Sequence, residues 1–213
     1  MRSAVMTRPV FLHRYTSLLN VVQMLEMRAL TLRSPLDWED RNDAYALELY
    51  KKRTGAKSVA AVCFTQADET YHHWKVFAAT GACVAFDRVR LVRALKGIEG
   101  LKTGSVRYRE IRKLARTPPS VAQLPFLKRY PYRDENEFRL VFAADDADFP
   151  ERAFPIPLAS IRRITLSPWL SHEELADAKR TIKKIAGCGN LKVYRTTVLD
   201  NRDWKRALAA ARG

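Results

Sequence analysis

"YRDENEFRLVF", residues 132–142, is the stretch on which the fold turns. In a β-strand, side chains two apart share a face. Phe138, Leu140 and Phe142 then point one way, and Glu135, Glu137 and Arg139 point the other. Such a polar row has two readings. It is the wet side of a half-buried strand, carrying surface ion pairs of small energetic value, or it is the floor of a site.

Outward from this strand, the chain alternates between the two periodicities. "VFLHRYT" (10–16), "KSVAAVCFT" (57–65) and "ACVAFD" (82–87) are rich in aromatic, branched and apolar residues and read as strands, the second central. "SLLNVVQMLEMRAL" places Leu18, Val21, Val22, Leu25 and Leu30 at helical spacing. A helix is expected from about Arg41, a short one around "ETYHHWKVFAA", and another from Arg88. "GSVRYREI" is expected as a strand and "TPPSVAQLP" as a loop. "SHEELADAKRTIKKIAG" carries a Ser171 cap, Glu174 three residues on, acids first and bases last, and Gly187 as a stop. "LKVYRTTVL" closes as a strand. The pattern predicts an α+β fold: a single domain over 1–213 with a core at about 10–200, two small packed β-sheets, flanking helices and a tail from 201.

Charge is the strongest compositional signal. The 213 residues carry a formal net charge of +15, with a pI near 10.0. The segment 88–116 holds ten Lys or Arg against two Glu. A field of that sign attracts phosphate backbones. Nucleic acid is therefore the expected partner, and Arg107, Arg109, Arg112 and Lys113 are the residues expected to touch it. A solvated face or an acidic protein partner would account for the same charge. Cys63, Cys83 and Cys188 leave one thiol over in any disulfide scheme, and two of them lie in strand-like apolar runs. Free thiols in a reducing cytoplasm are expected. The N-terminus meets Arg8-Pro9 before any apolar run develops, so neither a signal peptide nor a membrane span is expected. No Cys-x-x-Cys occurs and the histidines are scattered, so no metal is expected.

"DWEDRND" sets Asp40 and Asp43 three apart, on one face of a helix. Asp40 is placed to cap that helix. Two carboxylates there, with Glu135 and Glu137, also admit a metal-dependent nuclease.

Four motifs occur in a characteristic order: "FLHRYTS" (11–17), "SPLDWEDRND" (34–43), "CFTQADETYHHWKVFAATGACVAFD" (63–87) and "KRYPYRDENEFRLVF" (128–142). Together they resemble the bacterial and phage family catalogued as domain of unknown function 2971, over roughly residues 11–170. Arg41 stands where that family usually has Pro, Asp43 where it has Glu, and Phe77 where it has Tyr. More distantly, the layout resembles that of ADP-ribosyltransferases. There a first strand carries a His or Arg that holds NAD, a middle helix and strand supply an aromatic beside the nicotinamide, and a late strand carries a catalytic Glu.

That resemblance implies a set of roles. NAD would be the substrate, and breaking its ribose–nicotinamide bond spreads positive charge over the sugar. Glu137 would stabilise that charge, and Glu135 would orient or deprotonate an acceptor. Arg14 would clamp a phosphate or ribose, with His13 as the alternative because a one-residue slip exchanges their faces. Tyr15, Trp74 and Phe77 would flank the rings, Asp40 and Asp43 would line the pocket, and Arg139 would hold the carboxylates. Each has a structural counterpart: Tyr15 and Trp74 in the core, His13 as a packed strand residue, Arg14 as half of an ion pair. The expected activity is ADP-ribose transfer to DNA, RNA or a nucleic-acid-bound protein, in phage–host conflict or toxin action, with an inhibitor protein as a possible partner. The rival is a basic nucleic-acid-binding module without catalysis.

Overall fold

The computed structural model describes residues 11–211. The basic N-terminal stretch and Val10, the first residue of the expected opening strand, lie outside them. From the N-terminus the elements are β1 (Phe11–Thr16), α1 (Leu18–Met27), β2 (Ala29–Arg33), α2 (Arg41–Thr54), β3 (Ser58–Thr65), α3 (Tyr71–Phe77), β4 (Ala82–Asp87) and α4 (Arg88–Ala94). The chain continues through β5 (Leu101–Ser105), β6 (Arg107–Arg109), α5 (Ile111–Arg116), β7 (Leu127–Arg129), β8 (Glu137–Ala144), β9 (Glu151–Pro155), β10 (Ile161–Leu166), α6 (His172–Lys184), β11 (Val193–Arg195) and α7 (Arg202–Ala209).

The fold is α+β with two sheets of very unequal size. Nine strands form one sheet, in which β11, β10, β4, β1, β3, β2 and β9 follow one another while β8 joins β3 to β5. β6 and β7 form a separate parallel pair. The large sheet packs one face on α1 and α6, around Leu12, Leu25, Val62, Phe86, Leu140 and Ile164. The opposite face of β3 and β8 receives α2 through Leu47, Tyr50, Val59, Ala61 and Val141.

β3 is central because its apolarity is nearly continuous, as a strand covered on both faces requires. Along one edge it pairs with β8 over its full length. Along the other it is shared. β2 meets it at Ala61 and β1 meets it at Thr65, and among the described residues no strand stands opposite Cys63 between them. The sheet splits there. Gly81 fixes the far end of β1: a Cβ at that position would lie 2.1 Å from the carbonyl oxygen of Thr16.

Local chemistry explains the boundaries. Ser17 caps α1, Asp40 caps α2 and Ser171 closes α6 with a reciprocal box to Glu174. α1 ends earlier than its apolar spacing suggests, because Arg28 turns left-handed (φ 51°) and releases Leu30 into β2. The expected strand at 104–111 divides into β5 and β6, and its end becomes α5. Residues 121–126 form a 3-10 turn where a loop was expected, and the closing strand is only Val193–Arg195. Among the described residues no helix is long and apolar enough to cross a membrane.

Candidate active site

The polar row of the opening motif is not wet. Glu137 is 3% exposed and Arg139 is 0% exposed. β8 carries both, and its register with β3 sets Thr65 opposite Glu137 and Cys63 opposite Arg139. These four side chains therefore share the face that looks away from the main core. The remaining acid of the row, Glu135, is not on the strand. It ends a 3-10 turn over Tyr130–Glu135, and Asn136 in the left-handed region (φ 42°, ψ 54°) starts β8 afresh at Glu137. Asn tolerates this conformation better than most residues.

Arg139 would be very costly to bury alone, and its partners account for its position. Nε donates to Glu137 Oε1 at 2.7 Å. Nη1 and Nη2 donate to the two oxygens of Asp43 at 2.9 and 2.7 Å, and Nη1 also reaches the Pro125 carbonyl at 3.0 Å. The Trp38 ring lies 5.2 Å from the guanidinium carbon. Asp43 arrives from the first turn of α2, whose cap Asp40 accepts from the amides of Asn42 and Asp43. Asp40 and Asp43 thus serve structure, one as cap and one as counter-ion. The second oxygen of Asp40 is buried without a partner among the described residues.

Lys128 completes the network. Its ammonium lies 2.7 Å from Glu135, 3.4 Å from Glu137 and 3.6 Å from Asp43. Three carboxylates therefore surround two cations, Lys128 and Arg139. Burial pushes the Glu137 carboxyl up, but Arg139, Lys128 and the Cys63 thiol together hold it below its ordinary value. Burial, with Glu137 and Asp43 nearby, holds Glu135 above its ordinary value although Lys128 pulls it down. The two glutamates are thereby set apart, one ionised and one closer to accepting a proton. Burial, with Glu137 beside it, pushes the Cys63 thiol well up, so it stays protonated.

The site opens on a cleft of about 710 Å³ at the split in the sheet, lined by Glu135, Glu137, Lys128, Cys63, His13 and Arg14. His13 pairs with Thr65 and so shares the sheet face of Glu137. Its Nδ1–H donates to the Ala67 carbonyl at 3.2 Å. Arg14 enters the same cleft from the next position. Among the described residues it has no carboxylate or hydrogen-bond partner, and dehydration, with Arg33 nearby, lowers its pKa to about 10. Both candidates of the first strand therefore reach the cleft.

Aromatic rings form one wall. Tyr15 stacks on His73 with centroids 5.4 Å apart, and His73 lies parallel to Phe77 at 6.2 Å. Phe77, 47% exposed, stands at the mouth. Trp74 corrects an expectation: it is fully buried, donates Nε1–H to Glu69 at 2.7 Å and meets Tyr15 edge-on at 5.0 Å. It supports the wall and presents no ring to a ligand. Arg139 likewise lies behind Glu137 and does not line the cleft; its guanidinium is bonded to the Glu137 and Asp43 carboxylates.

Arg107, Arg109, Arg112 and Lys113 lie outside the cleft, on β6 and α5. Arg107, Arg109 and Arg112 form no ion pair among the described residues, whereas Lys113 pairs with Glu110 at 3.1 Å. Sequence reasoning did not single out Lys128, Trp38 or Tyr108. Tyr108 accepts the backbone N–H of Glu137 at 2.7 Å. The roles of Lys128 and Tyr108 depend on β6 pairing with β7, which no local pattern announces.

No family model matches the chain, so the likeness to the domain of unknown function 2971 family rests on the four quoted motifs. No curated protein matches either. Among solved structures the chain is similar to DarT of Thermus sp. 2.9 in complex with NAD+, at 12% identity and a TM-score of 0.45, covering 93% of this chain and 98% of that one. The same protein in complex with ADP-ribosylated single-stranded DNA superposes with a TM-score of 0.46 at 14% identity, covering 92% and 96%. Likenesses of this quality leave the chemistry to be argued from the chain's own residues.

Proposed function

We propose that the chain is an NAD-dependent ADP-ribosyltransferase whose acceptor is a nucleic acid or a nucleic-acid-bound protein. One observation carries the reading. An ionised carboxylate, Glu137, is fixed by Arg139 at the floor of a cleft that also holds an uncommitted cation, Arg14. A carboxylate already oriented and partly dehydrated stabilises positive charge on a sugar without reorganising during the reaction. The residues present suit NAD as the bound donor. The cleft volume lies in the range of roughly 300–1,000 Å³ typical of ligand sites. Arg14 offers a planar donor fork to a diphosphate, Tyr15 and Phe77 offer ring faces, and the unpartnered oxygen of Asp40 offers an acceptor to a hydroxyl.

NAD when bound supplies the activated glycosidic bond. Glu137 stabilises the electron-poor ribose, Glu135 takes the acceptor's proton, and Arg139 with Asp43 keeps Glu137 aimed. The basic surface is the support for a nucleic-acid acceptor: leaving out the buried Lys128, residues 107–133 hold seven Lys or Arg against one Glu. The setting in phage–host conflict or toxin action, opposed by an inhibitor protein, rests on the family resemblance alone; the support for the cytoplasm is the odd number of cysteines, two of them in apolar runs.

A metal-dependent nuclease fits this geometry poorly. Lys128 and Arg139 already engage Asp43, Glu135 and Glu137, three of the four carboxylates that a divalent ion would need. Incubation with labelled NAD tests the proposal. Nicotinamide release and label on nucleic acid are expected in the native chain and absent in Glu137→Gln. Retention of both in the folded variant, or no release from the native chain with any acceptor, overturns it.

A further inference from the structure

We infer that Lys128 is a positioning residue: its ammonium, shared among Glu135, Glu137 and Asp43, fixes the two cleft glutamates and ties them to the β6–β7 pair that carries the basic surface. This rests on the proposed function for its chemistry but not for its geometry. β7 belongs to the small sheet, outside the large one. There Lys128 stands in register with Tyr108 of β6. From these two facing positions, Tyr108 takes the N–H of Glu137 at 2.7 Å and Lys128 takes the glutamate side chains. The small sheet is therefore pinned to the start of β8 by adjacent residues, both at the acid pair.

The lysine is placed for this and for little else. Its side chain is 10% exposed, so it is no surface cation for a phosphate backbone. Its ammonium lies over the Tyr132 ring, 4.8 Å from the ring centre. Glu135 sits on the turn before β8 and, among the described residues, has no other basic neighbour, so Lys128 alone fixes its carboxylate. Glu137 has a second clamp in Arg139. The groups facing the ammonium are the three carboxylates and the Tyr108 and Tyr132 rings, with Arg139 and the Cys63 thiol one step further away on β8 and β3. Removing it leaves three acids against Arg139 alone. A proton should then bind, and Glu135, the acid without a second clamp, is where it should go.

The test uses Lys128→Met and Lys128→Arg in the full chain. Carboxyl titration followed by carbon NMR should show Glu135 of Lys128→Met gaining its proton at higher pH than in the native chain, and Glu137 moving less. With labelled NAD, transfer should fall about a hundredfold at neutral pH, the scale of loss when a reacting group is misplaced by about an ångström. It should recover in part as pH rises, and Lys128→Arg should restore part of it. Should Lys128→Met not fold, Lys128→Arg carries the same measurements, with a smaller shift in the same direction. Glutamate titrations identical to native, or transfer lost equally at every pH, overturn the inference. The titration requires no NAD, so its result stands even if the native chain releases no nicotinamide.

Discussion

Asp43 and Arg139, 96 residues apart in sequence, meet through two parallel hydrogen bonds of 2.9 and 2.7 Å at a point where both side chains are almost wholly buried. The pair joins α2 to β8 and so fixes the height of the cleft wall over its floor. Its value lies in what happens when half is lost.

Asp43→Ala strands a buried guanidinium. The expected cost is about 3–5 kcal/mol of unfolding free energy, read from urea denaturation at neutral pH. Asp43→Asn keeps the shape but not the charge and should cost less. A loss below about 1 kcal/mol for Asp43→Ala would show that Arg139 has another outlet.

Arg14 predicts the opposite balance between stability and function. Its folded-state pKa, about 10, is below its ordinary value, so the charged form is disfavoured by folding. That penalty is complete below pH 10 and disappears as pH rises through the interval between the two values. Arg14→Met should therefore melt no lower than the native chain at neutral pH. It should bind NAD about ten- to a hundredfold more weakly, the worth of a charge-assisted hydrogen bond. Thermal melting and NAD titration check the two halves.

The acid pair should separate two steps by pH. Glu137 lies below its ordinary value and Glu135 above it. As pH falls, Glu135 takes up its proton first. Transfer of label to nucleic acid should accordingly decline at higher pH than nicotinamide release does. In Glu135→Gln, release should persist while transfer is lost. Coincident acid limbs for both readouts would contradict the division of labour.

The basic surface should act through salt. Arg107→Ala and Arg109→Ala should weaken nucleic-acid binding and reduce the slope of log affinity against log salt by roughly one for each phosphate that is no longer neutralised. Nicotinamide release without acceptor should be unchanged. Filter binding across a salt series measures it.

Much of this architecture was legible in the sequence, where a single period sufficed. Phe138, Leu140 and Phe142 alternate and face the core; Ser171 with Glu174 closes a helix end. Glu137 is singled out by the resemblance to enzymes with a late-strand Glu, because the alternation alone fits a wet face as well as a site floor. What could not be read depends on partners far along the chain. Lys128 means nothing until β7 lies beside β6. The row of three charged residues looked like one strand because a spacing of two is the same number whether or not Asn136 turns left-handed between its members. Trp74 could not be separated from Tyr15 by composition, since an indole fills a core as readily as it flanks a ligand.

The split in the large sheet has a last consequence. Ala61 and Thr65 hand their main-chain groups to β2 and β1, while Cys63, midway between them, faces an opening. Peptide units two apart in an antiparallel strand present themselves to the same edge. The unit at Cys63 therefore meets no strand on that edge among the described residues, and a guest that grips it would read the backbone, a feature set by topology and not by the side chain at that position.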